Sequence, residues 1–247
     1  KTMKTLILIP SRLSATRLPG KPLLKIDGLS IISHVVRKAK KANIGEVIVA
    51  AEDKEIIYDV ESNGGKAILT SNQHKTGTDR VYEALKNSKL QDIDLVMNLQ
   101  GDEPLMNIED IKSLNNHMIK NKSQLGTLAS IITDKNSYSN SNIVKVKTSK
   151  KLSYTSFPEA LDFMRRSNEK AINIYHHLGI YCYQTEILKK FVSFDQSHNE
   201  KQRSLEQIRA LDNGIKINVA LAKSSPIGID TEEDFVAIKK IMEYKSQ

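Results

Sequence analysis

Along the first half of the chain, short apolar runs alternate with amphipathic stretches, and the alternation itself predicts a fold class. Leu6-Ile7-Leu8-Ile9, Val47-Ile48-Val49-Ala50, Ala67-Ile68-Leu69 and Leu95-Val96-Met97-Asn98 read as buried strands. Between them Ile31, Ile32, Val35, Val36 and Ala39 recur at helical spacing, and Asn43 with Gly45 ends that helix. A second helix covers Glu55 to Ser62 and closes on Gly64-Gly65, and a third runs from about Thr78 to Lys86. Strands that alternate with helices imply a parallel sheet with right-handed crossovers.

The second half changes character. The pattern predicts a helix over Ile108 to Ile119, a strand over Leu128 to Ile132 and a flexible Ser/Asn-rich loop from Lys135 to Asn142. Strands follow at Val144–Val146 and Leu178–Tyr183, then a short helix at Glu186–Phe191. Leu205, Ile208 and Leu211 mark a helix that stops at Asn213-Gly214. Ile217 to Leu221 is a strand, and Thr231 caps a last amphipathic helix reaching about Tyr244. From Leu152 to Arg166 no element is predicted. With no internal repeat and no linker, the chain reads as one α/β domain carrying a mixed-sheet lobe.

Composition narrows the function classes. The 247 residues suffice for a full core. No run approaches the length of a membrane span, and the first apolar run is too short for a signal peptide, so a cytoplasmic protein is expected. Lys1 and Thr2 stand ahead of Met3, and the sequence leaves open whether they are native. Cys182 is the lone cysteine, which rules out an internal disulfide and a cysteine zinc site. The adjacent His176 and His177 lie in a strand and point to opposite sides of it, so they do not share a metal. A formal charge of +8 suggests an anionic partner, nucleic acid or nucleotide. Much of the excess is lysine on helix faces, as at Lys38, Lys40, Lys41, Lys239 and Lys240. No aromatic interleaving supports nucleic-acid binding, which is left as a distant alternative.

Candidate chemistry collects at strand ends. The first strand leads into Pro10-Ser-Arg-Leu-Ser-Ala-Thr-Arg-Leu-Pro-Gly-Lys-Pro22, with Arg12, Arg17 and Lys21 and no acid before Asp27. Guanidinium forks and backbone N–H groups suit phosphate oxygens, lysine adds a mobile charge, and the prolines stiffen the loop. It is not a Walker A loop, because Pro22 stands where the magnesium-binding Ser or Thr belongs. No GxGxxG precedes the first helix. A metal is therefore held elsewhere, and Asp102, just past the fourth strand in Gln100-Gly-Asp-Glu-Pro104, is suited to it. Asp230, immediately outside the Thr231 cap, is a second candidate carboxylate.

Taken in order, the Pro10–Pro22 loop, His74 with Gly77-Thr-Asp-Arg80, Gln100-Gly-Asp-Glu-Pro104, His177-Leu-Gly-Ile-Tyr181, Leu205-Glu-Gln-Ile-Arg209 and Gly228-Ile-Asp-Thr231 resemble the CMP-Kdo synthetases, the 3-deoxy-manno-octulosonate cytidylyltransferases. The resemblance spans Ile7 to Phe235. It implies a Rossmann-like, glycosyltransferase-A-like nucleotidyltransferase fold. The nucleotide-binding core would comprise about 3–132 and 215–244, and the smaller sugar-binding and dimerisation lobe about 133–214. It further implies transfer of CMP from CTP to the anomeric hydroxyl of an acidic sugar, with Mg2+ as cofactor, pyrophosphate as leaving group and a homodimer as the assembly. Arg12, Arg17 and Lys21 would hold the triphosphate, Lys21 and Arg12 acting in catalysis. Asp102 and Asp230 would carry magnesium. Thr78, Arg80 and Gln100 would line the nucleotide end. Gln100, His177, Tyr181, Glu206 and Gln207 would meet the sugar acid.

The departures fall mainly on the sugar side. Where the family has Tyr-Phe-Ser-Arg, this chain has Tyr154-Thr-Ser-Phe157, and Arg165 and Arg166 are the nearby candidates to replace the missing arginine. His198 and Asn199 interrupt the family's Ser-Pro-Leu-Glu run, Arg203 stands where an acid is common, and Glu52 replaces an Asp after the second strand. The alternative is therefore a cytidylyltransferase for another acceptor, such as an amino-Kdo, another ulosonic acid or a phosphonate.

Overall fold

The computed structural model describes residues 2–14 and 17–247. Lys1, and Ala15 and Thr16 of the basic loop, lie outside the described residues. In chain order the elements are β1 (Thr5–Ser11), β2 (Lys25–Ile26), β3 (Leu29–Ser30), α1 (Ile31–Lys41), β4 (Gly45–Ala51), α2 (Lys54–Ser62), β5 (Lys66–Leu69), α3 (Gly77–Asn87), β6 (Leu95–Asn98) and α4 (Ile108–Asn121). They continue as β7 (Leu125–Ser130), β8 (Lys145–Thr148), β9 (Ala160–Met164), β10 (Ile174–Gln184), α5 (Thr185–Ser193), α6 (His198–Arg203), α7 (Ile208–Asp212), β11 (Ile217–Leu221) and α8 (Glu232–Ser246). Two compact units form: one runs to Ile111 and resumes from Pro226 to Gln247, the other is Lys112–Ser225.

In the first unit β1 pairs in parallel with β4, from Thr5 opposite Gly45 to Ser11 opposite Ala51, and with β6 on its other edge. β5 lies beyond β4. The chain thus steps outward from β1 to β4 to β5, then returns past β1 to lay down β6. Right-handed crossovers place α1 and α2 on one face and α3 on the other. The loops leaving β1 and β6 consequently part in opposite directions, which opens a crevice at the carboxyl ends of those strands. Helix α1 buries Ile31, Ile32, Val35, Val36 and Ala39, the periodic set of the sequence. Ser30 caps it by accepting from the Ser33 N–H at 3.1 Å. The β2–β3 hairpin was not predicted, although Asp27-Gly28 between Ile26 and Leu29 is its signal: both residues have the positive φ of a two-residue turn.

In the second unit β11 runs parallel to β7, and β7, β10, β8 and β9 follow in antiparallel succession. The expected strand at 128–132 begins earlier and ends earlier. β7 is buried along its whole length, so it does not alternate, and Gly126 and Thr127 disguise its start. A Cβ at Gly126 would come within 2.9 Å of the Phe157 ring and 2.6 Å of the Met118 sulfur, so only glycine admits this approach. Thr127 sits opposite a bulge in β10 between Leu178 and Tyr181. β9 fills the stretch where no element was predicted, and α6 was missed despite its capping box of Ser197 and Glu200. The helix expected around 205–211 is shorter, because Ser204 is left-handed and α7 starts only at Ile208. Glu200 and Arg209, both buried, form a two-pronged pair at 2.9 and 2.6 Å that joins α6 to α7.

His177 is buried on β10, 2.9 Å from the Thr127 hydroxyl. Burial, with His176 as the lesser cause, pushes its imidazole down to about 3. The unfolded ring titrates near 6.5 (about the ordinary value), so its contribution is complete above that pH and is lost as pH falls toward 3. We expect His177→Gln to flatten the fall in unfolding free energy between pH 7 and pH 4 by a few kcal/mol, read from urea titrations of both proteins at each pH. An unchanged pH slope would show that the ring takes up its proton alike in the folded and unfolded chain, which contradicts the burial effect.

Candidate active site

The crevice between the β1 and β6 ends is a cleft of about 330 Å³. The loop after β1 forms one wall, with Ser11, Arg12, Ser14, Arg17 and Lys21 lining it. Three contacts shape that loop. The Leu13 N–H donates to the Asp53 carboxylate at 2.8 Å, tying it to the end of β4. Leu18 is buried in an apolar cluster with Ile26, Ile31, Ile229 and Ile238. The Leu23 N–H donates to the Gly20 carbonyl at 3.0 Å, closing a 3-10 turn over Lys21–Leu23. The cations are thereby aimed inward by an apolar anchor, which offsets the entropy of ordering their side chains.

Opposite them lies the turn after β6, where Gln100, Gly101 and Asp102 line the cleft. The Ile229 N–H donates to the Asp102 carbonyl at 2.8 Å, which brings the segment ahead of α8 alongside this turn. Leu18 and Ile229 share one cluster, so their neighbours Arg17 and Asp230 meet as well, at 2.9 Å. Lys21 reaches Asp102 at 3.1 Å. Both predicted metal acids and two of the three predicted phosphate cations are therefore gathered in one cleft and paired with each other. Arg12, also at the wall, has no side-chain partner among the described residues. Gly228 lies against this corner, where a Cβ would make only ordinary contact, 3.6 Å from an Asp102 oxygen.

Two features of this corner escaped sequence reasoning. Glu103 is held up to about 8 by burial and then by the Asp102 charge, which favours its neutral form at pH 7. Its Oε2 is buried without a partner among the described residues. The other is Lys75, which with His74 and Thr76 supplies a further stretch of wall. Its signal was a lysine inside the His74–Arg80 motif.

The residues expected at the nucleotide end surround the β5–α3 loop. Arg80 is buried, donates to the Thr70 hydroxyl, and pairs with Glu52 at 3.2 Å and the Ser71 carbonyl at 3.1 Å. Glu52, the departure after the second strand, thus keeps a carboxylate against this arginine. Glu83 accepts from the Ser71 N–H at 2.9 Å and from His74 at 3.2 Å, which orders the loop. Arg80 and Gln100 line the cleft, whereas Thr78 is buried in the first turn of α3 outside its lining; Thr76, the helix cap, and Gly77 line it instead.

Of the sugar-side candidates, Gln100 lies in the first unit, and His177, Tyr181, Glu206 and Gln207 lie in the second. His177 and Tyr181 face each other on β10 with ring centroids 5.5 Å apart. The Tyr181 hydroxyl is pushed up by burial and then by the charge of Glu206, so that carboxylate is close by. Gln207 is buried at the start of α7. The departures have structural causes. Phe157 stacks on His117 of α4 at 5.0 Å and packs on Gly126, while β11 holds its backbone: Asn218 donates to the Phe157 carbonyl at 2.9 Å and the Val219 N–H to the Pro158 carbonyl at 2.8 Å. Arg165 does not replace the missing arginine. Its guanidinium donates to the carbonyls of Arg203, Ser141 and Ser204 at 2.9, 3.1 and 2.8 Å. Arg203 pairs with Asp162 at 2.6 Å, and His198 and Asn199 form an exposed first turn of α6. Arg166 is exposed.

The comparisons with known proteins agree with this geometry. The family model described as cytidylyltransferase matches residues 6–217. A 3-deoxy-manno-octulosonate cytidylyltransferase of Thermodesulfovibrio yellowstonii is 43% identical over 251 residues, covering 97% of this chain and 98% of that protein. One of Sinorhizobium medicae is 39% identical over 241 residues, covering 97% and 96%. A solved structure of CMP:2-keto-3-deoxy-manno-octonic acid synthetase complexed with CTP superposes with a TM-score of 0.89 at 33% identity, over 98% of this chain and 99% of that one. An apo UDP-glucose pyrophosphorylase, at 11% identity and a TM-score of 0.72, shares the fold alone. With strand-end cations, paired acids and full-length similarity in agreement, the chain belongs to the cytidylyltransferase family, among the 3-deoxy-manno-octulosonate cytidylyltransferases.

Proposed function

We propose that this chain transfers CMP from CTP to the anomeric hydroxyl of 3-deoxy-manno-octulosonate, releasing pyrophosphate for lipopolysaccharide precursor synthesis. The observation that carries the reading is the cleft at the β1 and β6 ends, where Arg12, Arg17 and Lys21 face Asp102 and Asp230. The sugar oxygen forms a bond to the α-phosphorus as the bond to the bridging oxygen breaks, and the electron pair leaves with pyrophosphate. Negative charge grows on the phosphoryl and leaving oxygens, so positioned cations and alignment supply the catalysis. Arg12 is free to clamp phosphate oxygens, and Lys21, two-thirds or more shielded from water, delivers its charge where screening is weak.

Two carboxylates beside a phosphate clamp are a donor set that fits magnesium, which takes one or two carboxylates and completes its shell with water and substrate oxygens. Asp102 and Asp230 would hold it, and Lys21 and Arg17 keep the two acids neutralised beforehand. When bound, the metal supplies positive charge to the triphosphate and acidifies the attacking hydroxyl. His177, Tyr181, Glu206 and Gln207 are assigned to the acidic sugar.

A second reading, another acidic acceptor such as an amino-Kdo, a different ulosonic acid or a phosphonate, is favoured by Phe157 and by the engagement of Arg165 with carbonyls. A homodimer through the second unit is supported by its exposed Ile131, Leu161 and Ile172. No described helix is long and apolar enough to cross a membrane, which fits a cytoplasmic enzyme.

Pyrophosphate release from CTP, magnesium and Kdo should fall roughly a hundredfold or more in Asp102→Asn and in Asp230→Asn. Release unaffected by both substitutions would remove the metal assignment, and failure of the wild type to bind CTP would end the proposal. Wild-type CTP binding without Kdo turnover would shift the reading to the second acceptor class. Phe157→Arg should lower stability by roughly 2 kcal/mol or more without lowering the KM for Kdo, because the new charge replaces a stacked ring against β7. A stable Phe157→Arg protein with a lower Kdo KM would show that this position opens onto the acceptor.

A further inference from the structure

The β10 bulge turns two carbonyls toward one hydroxyl. Thr127 Oγ1 lies 2.7 Å from the Ile180 oxygen, 3.1 Å from the Leu178 oxygen and 2.9 Å from His177 Nε2, and Thr127 is completely buried. A hydroxyl has one proton to give and two lone pairs to receive with. Carbonyls only accept, so the Thr127 proton goes to them, the shorter contact being Ile180. The contact with His177 is then a hydrogen bond only if Nε2 carries the proton and donates it. The opposite tautomer would turn the Thr127 proton toward Nε2 and leave both carbonyls without it, a costly arrangement in a dry interior. The ring is also boxed by Phe163, edge-on at 5.0 Å, and by Tyr181, which hold its plane. Nδ1 has no partner among the described residues.

We infer that Thr127 is a positioning residue that fixes His177 as the Nε2–H tautomer, so that the ring offers Nδ1 as a bare acceptor to a hydrogen-bond donor of the acceptor substrate, a sugar hydroxyl or an amine. A carboxylate is acceptor-only and is refused at this atom. His177 therefore reads the donor-bearing side of the sugar acid, and the sugar's negative charge is met elsewhere. The inference rests on the proposed place of His177 in the acceptor site; the tautomer itself does not. The neutral state it requires agrees with the depressed imidazole described above.

The experiment is a two-bond proton–nitrogen correlation spectrum of the full chain labelled with ¹⁵N-histidine, with His177→Gln used to assign the ring, run on wild type, Thr127→Val and Thr127→Ser. Steady-state kinetics with Kdo and CTP accompany it. We expect a pure Nε2–H ring in wild type and in Thr127→Ser, and a mixed or inverted pattern in Thr127→Val. The Kdo KM should rise roughly tenfold in Thr127→Val and return in Thr127→Ser, with kcat and the CTP KM nearly unchanged. An Nδ1–H or doubly protonated ring in wild type overturns the inference without any variant, so the test survives if Thr127→Val does not fold. A tautomer that shifts while the Kdo KM stays constant also overturns the positioning role, and places the fault in the assignment of His177 to the acceptor. Absence of Kdo turnover in the wild type faults the proposed function instead, and the spectra still decide the tautomer.

Discussion

The return of the chain past β1 to form β6 is the constraint on which the first unit depends. Two neighbouring parallel strands whose following segments leave in opposite directions cannot both be roofed by their own helices, so a crevice stays open at their ends. The protein fills its rim with opposite charges. The basic loop arrives from β1 and the Gln100–Pro104 turn from β6, while Asp230 is drawn in from far along the chain by the packing of Ile229 against Leu18.

The rim carries more positive than negative charge, with Arg12, Arg17, Lys21, Lys75 and Arg80 against Asp102 and Asp230. Lys21 with Asp102 is partly shielded, whereas Arg17 with Asp230 is mostly exposed and contributes little to stability. Neither pair is a strong structural tie, and under the proposed function both would exchange partners on binding a metal and a polyphosphate. Arg80, by contrast, is buried against Glu52, the Thr70 hydroxyl and the Ser71 carbonyl, which hold its guanidinium in place.

The second unit uses its cations differently. Lys145, fully buried, donates to the carbonyls of Asn140, Ile143 and Arg165; Arg165 donates to three further carbonyls; and Arg203 holds Asp162 and the Phe163 carbonyl. These side chains satisfy backbone groups that the irregular segments around β8, β9 and α6 leave unpaired. A positive residue in this lobe is thus no sign of an anion site by itself. The loss of the family's arginine at Phe157 comes with a core that has closed around the phenyl ring.

The parallel strand–helix core, the buried face of α1, the Thr231–Asp234 cap and the position of the basic loop after β1 were all legible in the chain alone. Each rests on local periodicity, capping or composition, and local rules read along the chain. β7, β9 and α6 were less legible. Burial on both faces removes alternation from β7, and the place of β9 depends on partners distant in sequence. The pairing of Arg17 with Asp230, separated by 213 residues, was likewise decided by tertiary packing, as were the preference of Glu103 for its neutral form, the engagement of Arg165 and the role of Thr127 beside His177. Charge state and hydrogen-bond polarity depend on what surrounds an atom in space, and a sequence names the atom without naming its neighbours.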